Sequence, residues 1–210
     1  MADLKTITET LIAGDDEALV RNVQEALDGG MKAGTILSDA LIAGMDVVGS
    51  RMESGEMYIP EVLMSAMCMG AAVEVLKPFL SEGDTTSAGT VVIGTVKGDL
   101  HDIGKNLVVM MMQSAGFEVI DLGVDVEVET FLEAIREKKP NIVGISALLT
   151  TTMPMMKSTV DQISESGLRD GVKIMVGGAP VDQAFADAIG ADAYAADAGS
   201  ASKLAKAMLA

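Results

Sequence analysis

The only histidine of the chain, His101, stands in the run Gly98-Asp99-Leu100-His101-Asp102-Ile103-Gly104-Lys105-Asn106. An imidazole two residues from a carboxylate is suited to binding a metal. One ring nitrogen donates to the metal while the acid holds the other, which fixes the tautomer and raises ligand basicity. An apolar stretch, Thr90 to Val96, precedes this run, and another, Leu107 to Met112, follows it. A strand, a glycine-bounded loop and a helix are the simple reading. The loop then opens at the carboxyl end of a strand, where open α/β sheets bind ligands. Two further loops carry related signals: Ser146-Ala147-Leu148, continuing to Thr150-Thr151-Thr152, and Gly177-Gly178-Ala179-Pro180. In a parallel sheet all three emerge on one edge and can converge on one ligand. Taken singly they say less: a lone loop histidine is more often solvated, and a lone Gly-Gly pair is more often a turn.

The elements that must position these loops follow from periodicity. From Thr90 onward, short apolar runs alternate with helical ones. Strands are expected near 90–96, 117–122, 141–146, 172–176 and 192–195, with helices near 104–115, 127–138, 153–166, 180–189 and 199–209. Five βα units predict a parallel sheet covered on both faces, a flavodoxin- or Rossmann-like doubly wound domain over 89–210 whose strand order is fold analogy. Residues 1–85 read as helices. Leu4, Ile7 and Leu11 recur at helical spacing, as do Leu19, Val23, Ala26 and Leu27, and Gly29-Gly30 is a stop signal. A third helix is expected from Thr35 to about Met52. A fourth opens at Pro60, a residue favoured in a first helical turn. The fold class is therefore α/β: an N-terminal four-helix bundle, then a five-stranded parallel sheet. Ser81 to Gly89, polar and glycine-containing, is the linker candidate.

Composition narrows the partners. A formal net charge of -16 over 210 residues disfavours nucleic acid and anionic membrane surfaces and suits a partner with a basic docking face. No uninterrupted apolar run approaches the ~18 residues that suggest a membrane span, and the acidic N-terminus does not resemble a secretory signal. A single cysteine, Cys68, excludes an internal disulfide and fits a reducing, cytoplasmic setting; its helical, apolar context makes it a core residue. Sixteen methionines against four phenylalanines and no tryptophan point to a methionine-tolerant core with adaptable surfaces.

The three loops together resemble a known signature. Asp-x-His-x-x-Gly, 41 residues, Ser-x-Leu, 28 residues and Gly-Gly is similar to the pattern of B12-binding (corrinoid) domains. The helical region before it resembles the cap of methyl-transferring corrinoid proteins, so the likeness covers nearly the whole chain. It is similar to the small corrinoid proteins of methanol and methylamine methyltransferase systems, and to the cobalamin-binding cap and Rossmann-like domains of methionine synthase.

This resemblance implies roles. His101 matches the lower axial ligand of cobalt, displacing the cofactor's own dimethylbenzimidazole. Asp99 matches the carboxylate on the other imidazole nitrogen. Thr152 falls where methionine synthases carry a serine that completes a hydroxyl–carboxylate–imidazole relay. Ser146 and Leu148 match residues lining the slot for the displaced nucleotide tail, and Gly104, Gly177 and Gly178 match positions where a side chain would block that tail. Asp102, Ile103 and Thr150 complete the expected cofactor contacts, Asp102 in a polar loop role rather than as the relay acid. Lys105 and Asn106 either reach the corrin or simply begin a helix. Met64 and Met67, with Met57, are the candidates for apolar shielding of the cofactor's upper face; the plainer alternative is bundle core.

The implied function is that of a methyl carrier with a cobalamin (corrinoid) cofactor, methylcobalamin in its loaded state. It would accept a methyl group on Co(I) from a substrate-specific methyltransferase acting on a methylamine, methanol, betaine or a methoxylated aromatic. It would deliver that group from methyl-Co(III) to a second methyltransferase acting on coenzyme M or tetrahydrofolate. A reductive activation protein is a further expected partner. His101 would leave cobalt in each cycle, and the linker would serve as the hinge for cap movement. Three alternatives stand beside this one. The helical cap argues against the cofactor subunit of an adenosylcobalamin mutase. The acidic bias of residues 1–80 argues against a B12-dependent transcription regulator. A cofactor-free flavodoxin-like fold would need the whole signature to be coincidence.

Overall fold

The computed structural model describes residues 2–80 and 87–210. The chain divides into two compact units: Met1–Ser87 with Ser114–Gly116, and Ala88–Gln113 with Phe117–Ala210. The expected linker, Ser81 to Gly89, lies mostly outside the described residues.

The first unit is helical: α1 (Leu4–Ala13), α2 (Asp16–Asp28), α3 (Ala33–Ile36), α4 (Ala43–Glu53) and α5 (Ile59–Leu76). Side-chain chemistry sets the helix ends. Asp3 and Asp15 accept from the backbone N–H groups of Thr6 and Ala18, satisfying donors that the first turn leaves free. Gly14 ends α1 in the left-handed conformation, φ 70°. At the start of α5 the Glu61 carboxylate accepts from the Tyr58 N–H at 2.8 Å, and Pro60 occupies the first turn. The apolar stripes expected on α1 and α2 are buried: Ile7 and Leu11, then Leu19, Val23 and Ala26. Cys68 is buried as expected. The third expected helix differs inside. A π-helical stretch, Leu37–Ile42, joins α3 to α4. The Thr8 hydroxyl of α1 lies 2.9 Å from the Leu4 carbonyl of its own helix and 3.1 Å from the Ala40 carbonyl in that stretch, so its single proton has two acceptors. Gly44 admits Leu11 closely, since a Cβ there would sit 2.7 Å from Leu11 Cδ2.

Two helices of this unit, Ala33–Glu53 and Ile59–Phe79, are each 21 residues long and apolar enough by mean hydropathy to cross a membrane. Neither is an uninterrupted apolar run, since Ser38, Asp39 and Asp46 break the first and Glu61, Ser65 and Glu74 the second; alanine, methionine and the branched aliphatics raise the mean across these breaks. Bundle packing accounts for them. Helix α5 packs on α2, α1 and α4 and buries Val62, Ala66, Met69, Ala72 and Leu76.

The second unit is α/β. Strands β1 (Thr90–Thr95), β2 (Glu118–Asp121), β3 (Ile142–Ser146), β4 (Lys173–Gly177) and β5 (Ala193–Ala195) form one sheet in the order β2-β1-β3-β4-β5, all parallel. This is the flavodoxin-like order, whose switch point lies between β1 and β3. Helices α6 (Ile103–Ser114), α7 (Val128–Lys138), α8 (Met153–Glu165), α9 (Gln183–Ile189) and α10 (Ala198–Leu209) connect or follow the strands. The central strands β1, β3 and β4 are buried almost throughout, as continuous apolar runs require when both faces are covered. Phe131, Val143, Ile145, Met156, Ile163 and Ile174 form the heart of the core. Helix α9 begins at Gln183, later than expected, because a turn closed by Val181 N–H to Gly178 C=O and an Asp182 cap take up the preceding residues.

Candidate functional site

Register aligns the strand ends. Thr95 of β1 pairs with Ser146 of β3, Ser146 with Gly177 of β4, and Gly177 with Ala195 of β5. The three expected loops thus leave the same edge from one row, flanking the switch point. Ser146 is half-buried, and Gly178 is seated against the loop after β3. A Cβ on Gly178 would lie 1.9 Å from the Ala147 carbonyl oxygen, and its φ is 130°. On Gly177 a Cβ would lie 3.0 Å from the Ala195 carbonyl oxygen. The protein's own backbone therefore demands glycine at 178 and crowds a side chain at 177. Nothing lies within 4 Å of where a Cβ on Gly104 would be.

Asp99 is the hub. Its side chain is fully buried. Oδ1 accepts from His101 Nδ1 at 2.7 Å and from the His101 backbone N–H at 3.1 Å. Oδ2 lies 2.8 Å from the Thr152 hydroxyl, 2.8 Å from Leu148 N–H and 3.3 Å from Leu149 N–H. Burial pushes the Asp99 carboxyl up. The bonds from Leu148, the His101 ring and backbone and Thr152 outweigh it and hold the group well below the usual carboxylate range. A carboxylate that stays ionised fixes the imidazole tautomer: Nδ1 carries the proton and Nε2 keeps its lone pair. The His101 side chain is 51% exposed, and no described residue bonds Nε2. The Thr152 hydroxyl also lies 2.9 Å from the Leu149 carbonyl, so its single proton has two acceptors.

Around the ring is an apolar rim. Leu100, Ile103, Leu148 and Leu149 are all exposed. Thr150, between the Leu149 and Thr152 positions, is exposed and polar. Asp102 at the start of α6 accepts from the Asn106 side-chain amide at 3.1 Å, and its carbonyl accepts from the Asn106 N–H at 2.7 Å. Lys105 does not reach the rim. It is buried and pairs with Asp121 at the end of β2 and with the Asn106 amide oxygen. Met64 and Met67 are exposed on α5 rather than in the bundle core, while Met57 is buried.

Sequence reasoning missed three contributors. Thr95, buried at the end of β1, donates to the His101 carbonyl at 3.0 Å. Asp125 and Lys97 brace the turn that carries Asp99. The signal for Asp125 was an acidic residue beyond β2 on the edge where the other loops gather.

Among the described residues there is no cluster of three or more His, Cys, Asp or Glu able to hold a metal ion. A metal taken by His101 must then bring its other ligands with it. A macrocycle does so, and a broad apolar rim with open space over Gly104 suits its bulk. The B12 binding domain model matches residues 89–204, and a second B12 binding domain model matches residues 4–77. The chain belongs to the B12-binding family. It is 44% identical over 208 residues to the dimethylamine corrinoid protein 1 of Methanosarcina acetivorans, covering 99% of this chain and 97% of that one. It is 47% identical over 182 residues to the trimethylamine corrinoid protein 2 of the same organism, covering 86% of this chain and 84% of the other. Among solved structures it is similar to the methanol:cobalamin methyltransferase complex MtaBC of Methanosarcina barkeri. There the TM-score is 0.85 at 33% identity, with 98% of this chain and 79% of that chain covered. The cofactor of this B12-binding chain is a corrinoid, and the donor set at the sheet edge fits one.

Proposed function

We propose that the chain is the methyl carrier of a methylamine-type methyltransferase system, with His101 Nε2 as the protein's ligand to the corrinoid cobalt. The observation that carries this reading is the pairing of His101 Nδ1 with the buried Asp99 carboxylate, which leaves Nε2 as the donor. When bound, the corrinoid supplies the centre that receives and releases the methyl group.

The chain's own residues govern the imidazole. With Nε2 engaged, Asp99 holds Nδ1–H and the ring is neutral. The Asp99 carboxylate, 2.7 Å from Nδ1, would hold the ring in place to present Nε2 to the corrinoid. Thr152 and the Leu148 and Leu149 N–H groups keep Asp99 ionised. Leu148 and Leu149 also supply rim surface, while Ser146, Thr150, Gly104, Gly177 and Gly178 border the space proposed for the nucleotide tail. Met64 and Met67 offer exposed thioether surface suited to shielding a methyl group. The proposed partners are a methylamine:corrinoid methyltransferase, a second methyltransferase serving coenzyme M or tetrahydrofolate, and a reductive activation protein, all in a cytoplasmic setting. The dimethylamine and trimethylamine names of the relatives favour a methylamine as donor over methanol.

The test begins with the protein mixed anaerobically with hydroxocobalamin and desalted. A retained corrinoid spectrum that changes in His101→Ala supports the axial role; a colourless folded protein overturns it. The reduced, loaded protein is then offered mono-, di- and trimethylamine together with their methyltransferases. Methylation of the corrinoid with at least one of them is expected, and none with any of them would overturn the carrier reading.

A further inference from the structure

We propose that Asp125 is a positioning residue for His101, acting through the backbone of the turn that carries Asp99. The inference rests on reading His101 as the corrinoid's axial donor. Val96 to Asp99 form a turn closed by Asp99 N–H to Val96 C=O at 3.1 Å, with Gly98 at φ 82°. Positive φ at the third position is the mark of a type II turn and leaves the Gly98 N–H pointing outward without a partner inside the turn. Asp125 supplies that partner: its Oδ1 accepts from Gly98 N–H at 2.8 Å. Its own N–H donates to the Asp99 carbonyl at 2.9 Å. The Lys97–Gly98 peptide, one residue before Asp99, and the Asp99–Leu100 peptide, just after its Cα, are thus tied to one residue of the β2–α7 connection. That connection runs beside β1, with Thr95 N–H to Gly123 C=O and Val126 N–H to Thr95 C=O both at 3.0 Å.

Asp125 is itself held in a conformation that residues other than glycine seldom adopt. Its φ is 54°, and among the described residues only Lys139 shares this property outside glycine. Asparagine and aspartate tolerate that region best. Lys97, inside the same turn, bridges Asp125 at 3.3 Å and Glu127 at 2.8 Å. Strain of this kind persists where the surroundings over-determine it and clusters at functional sites. Here it aims the Asp99 carboxylate, and through it the ring. A shift of the Asp99 backbone would move Oδ1 away from Nδ1 and free the imidazole to flip or to change tautomer.

With one histidine in the chain, imidazole 15N NMR of the cofactor-free protein reads the tautomer directly. The wild type should show the Nδ1–H form almost alone, and its Gly98 amide should exchange slowly. Asp125→Asn keeps the acceptor and tolerates the backbone, so its spectrum should match. Asp125→Gly keeps the backbone and removes the acceptor. It should give a mixed tautomer population and weaken hydroxocobalamin binding about tenfold, the scale of losing an outer-shell partner. A merely structural role would lower Tm in Asp125→Gly and leave the tautomer unchanged, and that result overturns the proposal. A wild-type Gly98 amide that exchanges without protection overturns it too, whether or not the variant folds. A wild type lacking the Nδ1–H form would instead overturn the axial reading of His101.

Discussion

The Thr152 hydroxyl and the Asp99 carboxylate, 53 positions apart in sequence, lie 2.8 Å from each other. Threonine at this position places on Asp99 the same hydroxyl a serine would offer, in a buried spot. Replacing it tests the link. Thr152→Val keeps the shape and removes the donor, leaving Asp99 Oδ2 to the two backbone N–H groups. A loss of about 1 kcal/mol is expected, with a similar change in corrinoid affinity. Thr152→Ser should fall between valine and wild type. Denaturant unfolding and hydroxocobalamin titration measure both, and a valine variant equal to wild type in both would remove Thr152 from the site.

Asp99→Asn is a harsher change. A carboxylate accepts at every position, whereas an amide must direct donors at some of its neighbours. With the amide oxygen turned to the ring, the NH2 group would face the Leu148 and Leu149 N–H groups and the Thr152 hydroxyl. Each buried donor left unmatched costs about 1–3 kcal/mol. The variant should lose several degrees of Tm and bind corrinoid 10–100-fold more weakly.

The pH dependence of that deficit has a definite sign. The folded Asp99 carboxyl titrates below its ordinary value of 3.8. Its contribution to stability is therefore fully present above pH 3.8 and is lost as pH falls toward the depressed folded value. The stability gap between wild type and Asp99→Asn should close below about pH 4. Urea unfolding at a series of acid pH values checks this. A gap that widened below about pH 4 would mean the carboxyl is raised, not lowered, by its surroundings.

How legible this site was depends on how each residue acts. Asp99, His101 and Thr152 act through side chains at the ends of parallel strands. Residue type marked the His101–Asp99 pair, the resemblance to B12-binding domains added Thr152, and the structure brings the three side chains together. The sheet was legible for a related reason: fully buried strands such as β3 read as short solid apolar runs between helical stretches. Asp125 acts through the backbone of another loop, and a carboxylate in a connection looks like any solvated acid. The π-helical stretch was hidden too, because Leu37–Ile42 carries ordinary helix formers and only the Thr8 hydroxyl of another helix marks it. Lys105 read as either a corrin contact or a helix start, since nothing local announces that it will be buried against Asp121, 16 residues on.

The glycines separate fold from function most cleanly. Gly178→Ala would place a methyl against the Ala147 carbonyl at 1.9 Å on a backbone with φ 130°. Overpacking and forced φ each cost about 1–3 kcal/mol, so a loss of at least about 3 kcal/mol is expected, with poor recovery of folded protein. Gly104→Ala meets nothing within 4 Å, in a helical first turn where alanine is favoured over glycine. The cofactor-free variant should be as stable as wild type or slightly more so, by up to about 1 kcal/mol. If a corrinoid does approach the backbone there, the added methyl should weaken its binding in a protein that is otherwise intact. Thermal melts of both variants, with and without hydroxocobalamin, make the comparison. A Gly104→Ala protein with unchanged corrinoid affinity would show that this glycine belongs to the helix and not to the ligand.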